Sequence, residues 1–83
     1  HTGALISLFP NPNNGRFTLE LSGVNKSSEV YVEIYTMRGE SMLKETFIGE
    51  SRHEFNLEGS PSGIYILRVF SNDMAKTVKI IKN

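Results

Sequence analysis

The chain has 83 residues, nine Lys or Arg against nine Asp or Glu, and no cysteine. That length holds one small domain that buries roughly 60–65% of its unfolded surface, and without cysteine there is no disulfide, thiolate metal site or cysteine nucleophile. The charges alternate along the chain, so the basic stripe of a nucleic-acid module is missing, and no apolar run approaches the ~20 residues of a membrane helix.

The chain opens His1-Thr2-Gly3, without methionine. Residues 1–3 read as a tag scar or linker and residues 4–83 as a single domain cut from a longer protein. "ALISLF" is a short first strand, stopped by Pro10. In "RFTLELS", Phe17, Leu19 and Leu21 face one way and the polar residues the other. "EVYVEIY" repeats this, with Val30, Val32 and Ile34 opposite Tyr31, Glu33 and Tyr35. "SMLKETFI" is ambiguous in register, as edge strands often are. "RHEFNL" sets His53, Phe55 and Leu57 against Arg52, Glu54 and Asn56. "GIYILRVF" is apolar on both faces apart from Arg68, which suits a central strand. "MAKTVKIIK" alternates Met74, Lys76, Val78 and Ile80 against Ala75, Thr77, Lys79 and Ile81.

Turn residues separate these runs, among them Arg38-Gly39, Gly59 to Gly63 and Asn72-Asp73. About seven short antiparallel strands at roughly ten-residue spacing, with no helix pattern, predict an all-β, immunoglobulin-like β-sandwich. Tyr65 follows the Gly-Ser-Pro-Ser-Gly corner early in its strand. Its hydroxyl can reach back to that corner, as in immunoglobulin-like sandwiches, or the ring can be a plain core aromatic. The joint occurrence of the bend and the tyrosine favours the corner.

"LFPNPNNGRF" is the densest turn signal in the chain. Pro10 and Pro12 each fix φ and remove a donor, and Asn11 is pushed to extended geometry by the proline after it. Pro12 suits the second position of a type I turn, with Asn11 bonding the local backbone at the first. Gly15 supplies positive φ at the exit. The expected product is a stiff reversal that exposes asparagine amides.

Candidate chemistry is sparse. His53 shares a face with Phe55 and Leu57, so a core or rim imidazole outweighs a catalytic or ligand role. Asp73 is an isolated carboxylate, short of a calcium site, and no Ser-His-Asp set or phosphate cradle can be assembled. Tyr31 and Tyr35 could form a strip for sugar, but cross-strand pairing is the commoner use of such tyrosines. Asn25-Lys26-Ser27 fits a short glycosylation sequon. The residues by themselves describe a non-catalytic sandwich with no cofactor.

Four stretches in order resemble one family. "FPNPNNGRF" is similar to the Y/F-P-N-P-x-x-G-x-F opening of the type A C-terminal sorting domain of type IX (Por) secretion. "VEIYTMRGE", "FNLEGSPSGIYILRV" and "KTVKIIKN" resemble that family's middle motif, its D-L-S-x-L-x-x-G-x-Y stretch and its lysine-rich last strand. Asn56, Glu58 and Glu40 stand where aspartate, serine and glutamine or lysine are common.

The resemblance implies an address label at the C-terminus of a larger cargo protein of Bacteroidetes-type bacteria. The cargo would pass through the periplasm to the outer membrane and be secreted or held at the cell surface. The implied partners are the type IX outer-membrane translocon, a shuttle protein and a sortase that removes the domain. The implied motif residues are Pro10, Asn11, Pro12, Gly15, Gly39, Gly63, Tyr65, Lys79, Ile80, Ile81 and Lys82. Gly15, Gly39, Gly63 and Tyr65 have backbone or corner reasons to serve the fold. Lys79 and Lys82, taken as exposed, point to recognition or to edge protection, and the final strand is a candidate for pairing with a partner's sheet edge. The alternatives are a fibronectin-like or carbohydrate-binding module and a structural spacer; open edges also permit a crystal or strand-swapped dimer.

Overall fold

A computed structural model describes residues 5–25, 27–48, 51–72 and 74–83. The boundary expected at residue 4, and the readings of His1, Lys26 and Asp73, fall outside them. The apolar-polar alternation folds as read, into strands β1 (Leu5–Phe9), β2 (Arg16–Ser22), β3 (Glu29–Thr36), β4 (Ser41–Ile48), β5 (Arg52–Asn56), β6 (Gly63–Ser71) and β7 (Met74–Lys82). No helix forms among the described residues. The strands make two sheets, in the orders β1-β2-β5 and β4-β3-β6-β7. Every pairing between strands is antiparallel.

The inward residues of both sheets close a single core. Phe17, Leu19, Leu21, Val30, Val32, Ile34, Phe47, Phe55, Leu57, Tyr65, Leu67, Val69 and Ile80 are all buried. Fully burying a side chain of this kind contributes ~1.5–3 kcal/mol, which is the main support for a chain without disulfides. β6, apolar on both faces, lies between β3 and β7, as a central strand should. β4 is an edge strand, and a register shift against β3 at Ile34/Tyr35 explains its ambiguous pattern. Beyond the shift the pairing skips a residue, so one alternation cannot describe the whole strand.

The β3–β4 hairpin turns at Gly39, whose φ of 91° favours glycine. Thr36 organises the turn, its Oγ1 accepting from the amides of Arg38 and Glu40. Where β4 and β5 meet across the sandwich, side chains close the seam. The Phe47 ring stacks on His53 at 4.5 Å between centroids and 8° between planes. His53 Nε2 is hydrogen-bonded to the Glu45 carboxylate. His53 is thus a half-buried rim residue, in line with its place on the Phe55 face.

Candidate functional site

The opposite seam, between β1 and β7, is closed by the loop at residues 10–15. Both prolines in it follow cis peptide bonds. The local backbone bond expected of the Asn11 side chain is replaced by long-range ones. Asn11 instead reaches across to β7, where its Nδ2 donates to the Lys79 carbonyl at 2.9 Å and its Oδ1 accepts from the Ile81 amide at 2.8 Å. A side-chain amide carries the same donor and acceptor as a peptide group, so Asn11 stands in for one residue of a neighbouring strand. Asn13 completes the pairing with its main chain, donating to the Ile81 carbonyl at 2.9 Å and accepting from the Asn83 amide at 2.7 Å. The result is a parallel bridge between Asn13 and Lys82. The chain leaves one sheet after β1, adds a short fragment to the other sheet, and returns to the first as β2.

Local bonds hold the loop in this path. Asn13 Nδ2 donates to the Pro10 carbonyl and Asn13 Oδ1 accepts from the Gly15 amide. Asn14 Oδ1 accepts from the Arg16 amide. The exposure expected of the asparagines therefore holds for Asn11 and Asn14 and fails for Asn13, which is buried because it sits between two sheets.

Gly15 is required twice over. Its φ is 115°, and a Cβ there would lie 2.8 Å from the Glu58 amide nitrogen and 2.9 Å from Lys82 Cε. Its carbonyl accepts from the Leu57 amide at 2.7 Å, which ties the loop to the β5–β6 corner. That corner is held by the Tyr65 hydroxyl, which donates to the Pro61 carbonyl as expected of a tyrosine corner. Lys82 joins the same cluster. Its Nζ donates to the Ser60 carbonyl at 2.6 Å.

Lys82 was expected to be exposed, but it is 8% exposed. Its parity carried the signal. Lys82 continues the set Val78 and Ile80, which faces inward, so its stem lies along the core margin and only its ammonium needs a polar partner. Ile80 is fully buried and is a core residue. Lys79 and Ile81 project from the other face of β7, and both are exposed. The motif residues thus assemble at one end of the sandwich. Pro10, Asn11, Pro12 and Gly15 flank residues 79–82, Gly63 pairs with Lys82, and Tyr65 pairs with Ile80 and Thr36, from which the Gly39 hairpin leaves. Sequence reasoning missed Asn13 and Ser60, and neither carries a pattern that reveals a contact so distant in the chain.

The other candidates resolve into structure. Tyr31 stacks on Phe70 at 5.2 Å, and its hydroxyl donates to Glu29. The Tyr35 hydroxyl donates to Glu33. Each carboxylate holds its phenol in the protonated form and raises the tyrosine above its ordinary range, the hydrogen bond being the main cause. Phe70 is the cross-strand partner of Tyr31, and Glu29 and Glu33 are neighbours two residues away on the same strand, so the pairing expected of such tyrosines is present at Tyr31. No group of three His, Cys, Asp or Glu among the described residues could hold a metal. A groove of about 440 Å³ on the outer face is lined by Pro10, Arg16, Thr18, Glu54 and Asn56, with Thr18 and Glu54 paired across β2 and β5. No helix of the described residues is long and apolar enough to cross a membrane.

Fold and site together define a small immunoglobulin-like module organised around its own last strand. Residues 7–83 match the family described as secretion system C-terminal sorting domain, and the chain belongs to that family. It is a C-terminal sorting domain of type IX secretion, and the family's role is that of a signal, not a catalyst. Among solved structures the chain is similar to the crystal structure of dimeric latent PorU from Porphyromonas gingivalis, with a TM-score of 0.67 and 24% sequence identity. The match covers 96% of this chain and 9% of that one, and it supports the sandwich fold. No curated protein matches the chain.

Proposed function

We propose that this domain is the removable address of a larger cargo, read in its folded form. The cargo is joined to its N-terminal side and reaches the periplasm by an ordinary signal. There a shuttle protein and the outer-membrane translocon recognise the domain, and a surface sortase cuts it away upstream of residue 4. The domain performs no chemistry of its own. The observation that supports this reading is the gathering of the family's motif residues around the end of β7, with Lys79 and Ile81 presented to solvent. Pro10, Asn11, Pro12, Gly15, Gly39, Gly63, Tyr65, Ile80 and Lys82 act by holding that end, and Lys79 and Ile81 are the side chains available for reading.

The test is an export assay. Residues 4–83 are fused to the C-terminus of a periplasm-directed fluorescent reporter in a type IX-competent bacterium, beside the reporter alone. Fluorescence at the surface or in the medium, with the domain clipped off, is the expected result. A folded fusion retained in the periplasm like the reporter alone would overturn the reading.

A further inference from the structure

The outer edge of β7 is divided into a closed part and an open part. In an antiparallel ladder, alternate residues turn their N–H and C=O toward the neighbouring strand and the others turn away. The Lys79 carbonyl and both main-chain groups of Ile81 meet the loop at residues 10–15, so the outward set is Ala75, Thr77, Lys79, Ile81 and Asn83. The loop takes the C-terminal half of that edge. Among the described residues nothing outside the β6 ladder pairs with the main chain of Ala75 or Thr77, or with the Lys79 amide.

The charge carried by β7 itself has one sign. β7 carries Lys76, Lys79 and Lys82 and no acidic residue. Lys76 and Lys79 are exposed, lie on opposite faces of the strand, and form no ion pair among the described residues. The other outer strands differ. β4 mixes Lys44 with Glu45 and contains the register shift, β5 mixes Arg52 with Glu54, and β1 is uncharged.

We propose that the open edge at residues 75–79 docks an extended segment of a partner protein that carries carboxylates on both of its faces. Main-chain bonds to Ala75, Thr77 and Lys79 supply the affinity, and the two lysines select the acidic strand. The loop at residues 10–15 sets the limit of the docking site by occupying the rest of the edge. A second copy of this chain is disfavoured as the occupant, because it would bring a like-charged edge against this one. The inference rests on the sorting reading for its setting, with the acidic strand belonging to the export machinery.

Two measurements test it. In the first, the 15N-labelled chain is titrated with the blocked heptapeptide Thr-Glu-Glu-Val-Glu-Glu-Thr and with its glutamine counterpart. Shifts confined to the amides around Ala75, Thr77 and Lys79, with the glutamate peptide bound about five- to tenfold more tightly, are expected. Equal binding of the two peptides, or shifts that map elsewhere, would overturn the proposal. In the second, Thr77→Pro is placed in both the titration and the reporter fusion. A proline at an outward amide is tolerated on an edge strand, which the urea midpoint checks. The folded variant should lose both peptide binding and export, and its continued export would sink the edge proposal while leaving the sorting reading intact. Failure of the unsubstituted fusion to be exported would instead remove the sorting reading, and the titration would still decide the edge. If Thr77→Pro does not fold, the pair Lys76→Glu and Lys79→Glu changes no backbone, and undiminished binding of the acidic peptide to it would count against the proposal.

Discussion

The two seams of the sandwich are closed by different means. Between β4 and β5 the described residues close the seam with side chains, Phe47 stacked on His53 and His53 bonded to Glu45. Between β1 and β7 the closure is made in the currency of a sheet. Asn13 supplies main-chain groups, Asn11 supplies an amide that imitates them, and Gly15 lets the loop pass within contact of Glu58 and Lys82. A side-chain seam tolerates any pair that fills the space. A backbone-like seam depends on residue types with few equivalents, here the asparagines and the glycine of residues 10–15.

Substitutions can break this contrast, beginning with the backbone-like seam. Gly15→Ala should cost about 3 kcal/mol, since it adds left-handed strain to a clash with fixed backbone. Urea denaturation checks this, and a loss below about 1 kcal/mol would show that the loop shifts freely. Asn11→Ala should cost about 1.5 kcal/mol for two exposed hydrogen bonds and speed hydrogen exchange at the Ile81 amide. Exchange unchanged at Ile81 would mean that Asn11 does not hold β7. Tyr65→Phe should lose about 1 kcal/mol, the net worth of its bond to the Pro61 carbonyl; an unaltered denaturation curve would return Tyr65 to the status of a plain core aromatic. Glu45→Gln, at the side-chain seam, should cost no more than about 0.5 kcal/mol, because both partners are partly exposed and the amide can still bond the imidazole. A loss there as large as that of Gly15→Ala would erase the distinction between the seams.

Much of the architecture was legible from alternation. The seven strands and the inward sets of β2, β3 and β5 follow from period-two patterning, which reports which face of a strand is buried, and the central place of β6 follows from its apolar residues on both faces. β4 was less legible because its register shift breaks that period. The Tyr65 corner could be read because its donor and acceptor are four residues apart. The positive φ of Gly15 could be read from its residue type, but the long-range partners of Asn11 and Lys82 could not. Lys82 looked like a free surface cation, although its parity already placed it beside Ile80.

The sequence by itself determined the strands, their buried faces and the family, because each rests on local order: alternation, turn residues and motif spacing. Only the tertiary structure decided what the opening loop is for. The partners of Asn11 lie 68 and 70 residues away, and no local rule connects them. Folding brings the first loop against the last strand, satisfies half of that strand's outer edge and leaves the other half open, because main-chain hydrogen bonds pair by position in space and are indifferent to position in the chain.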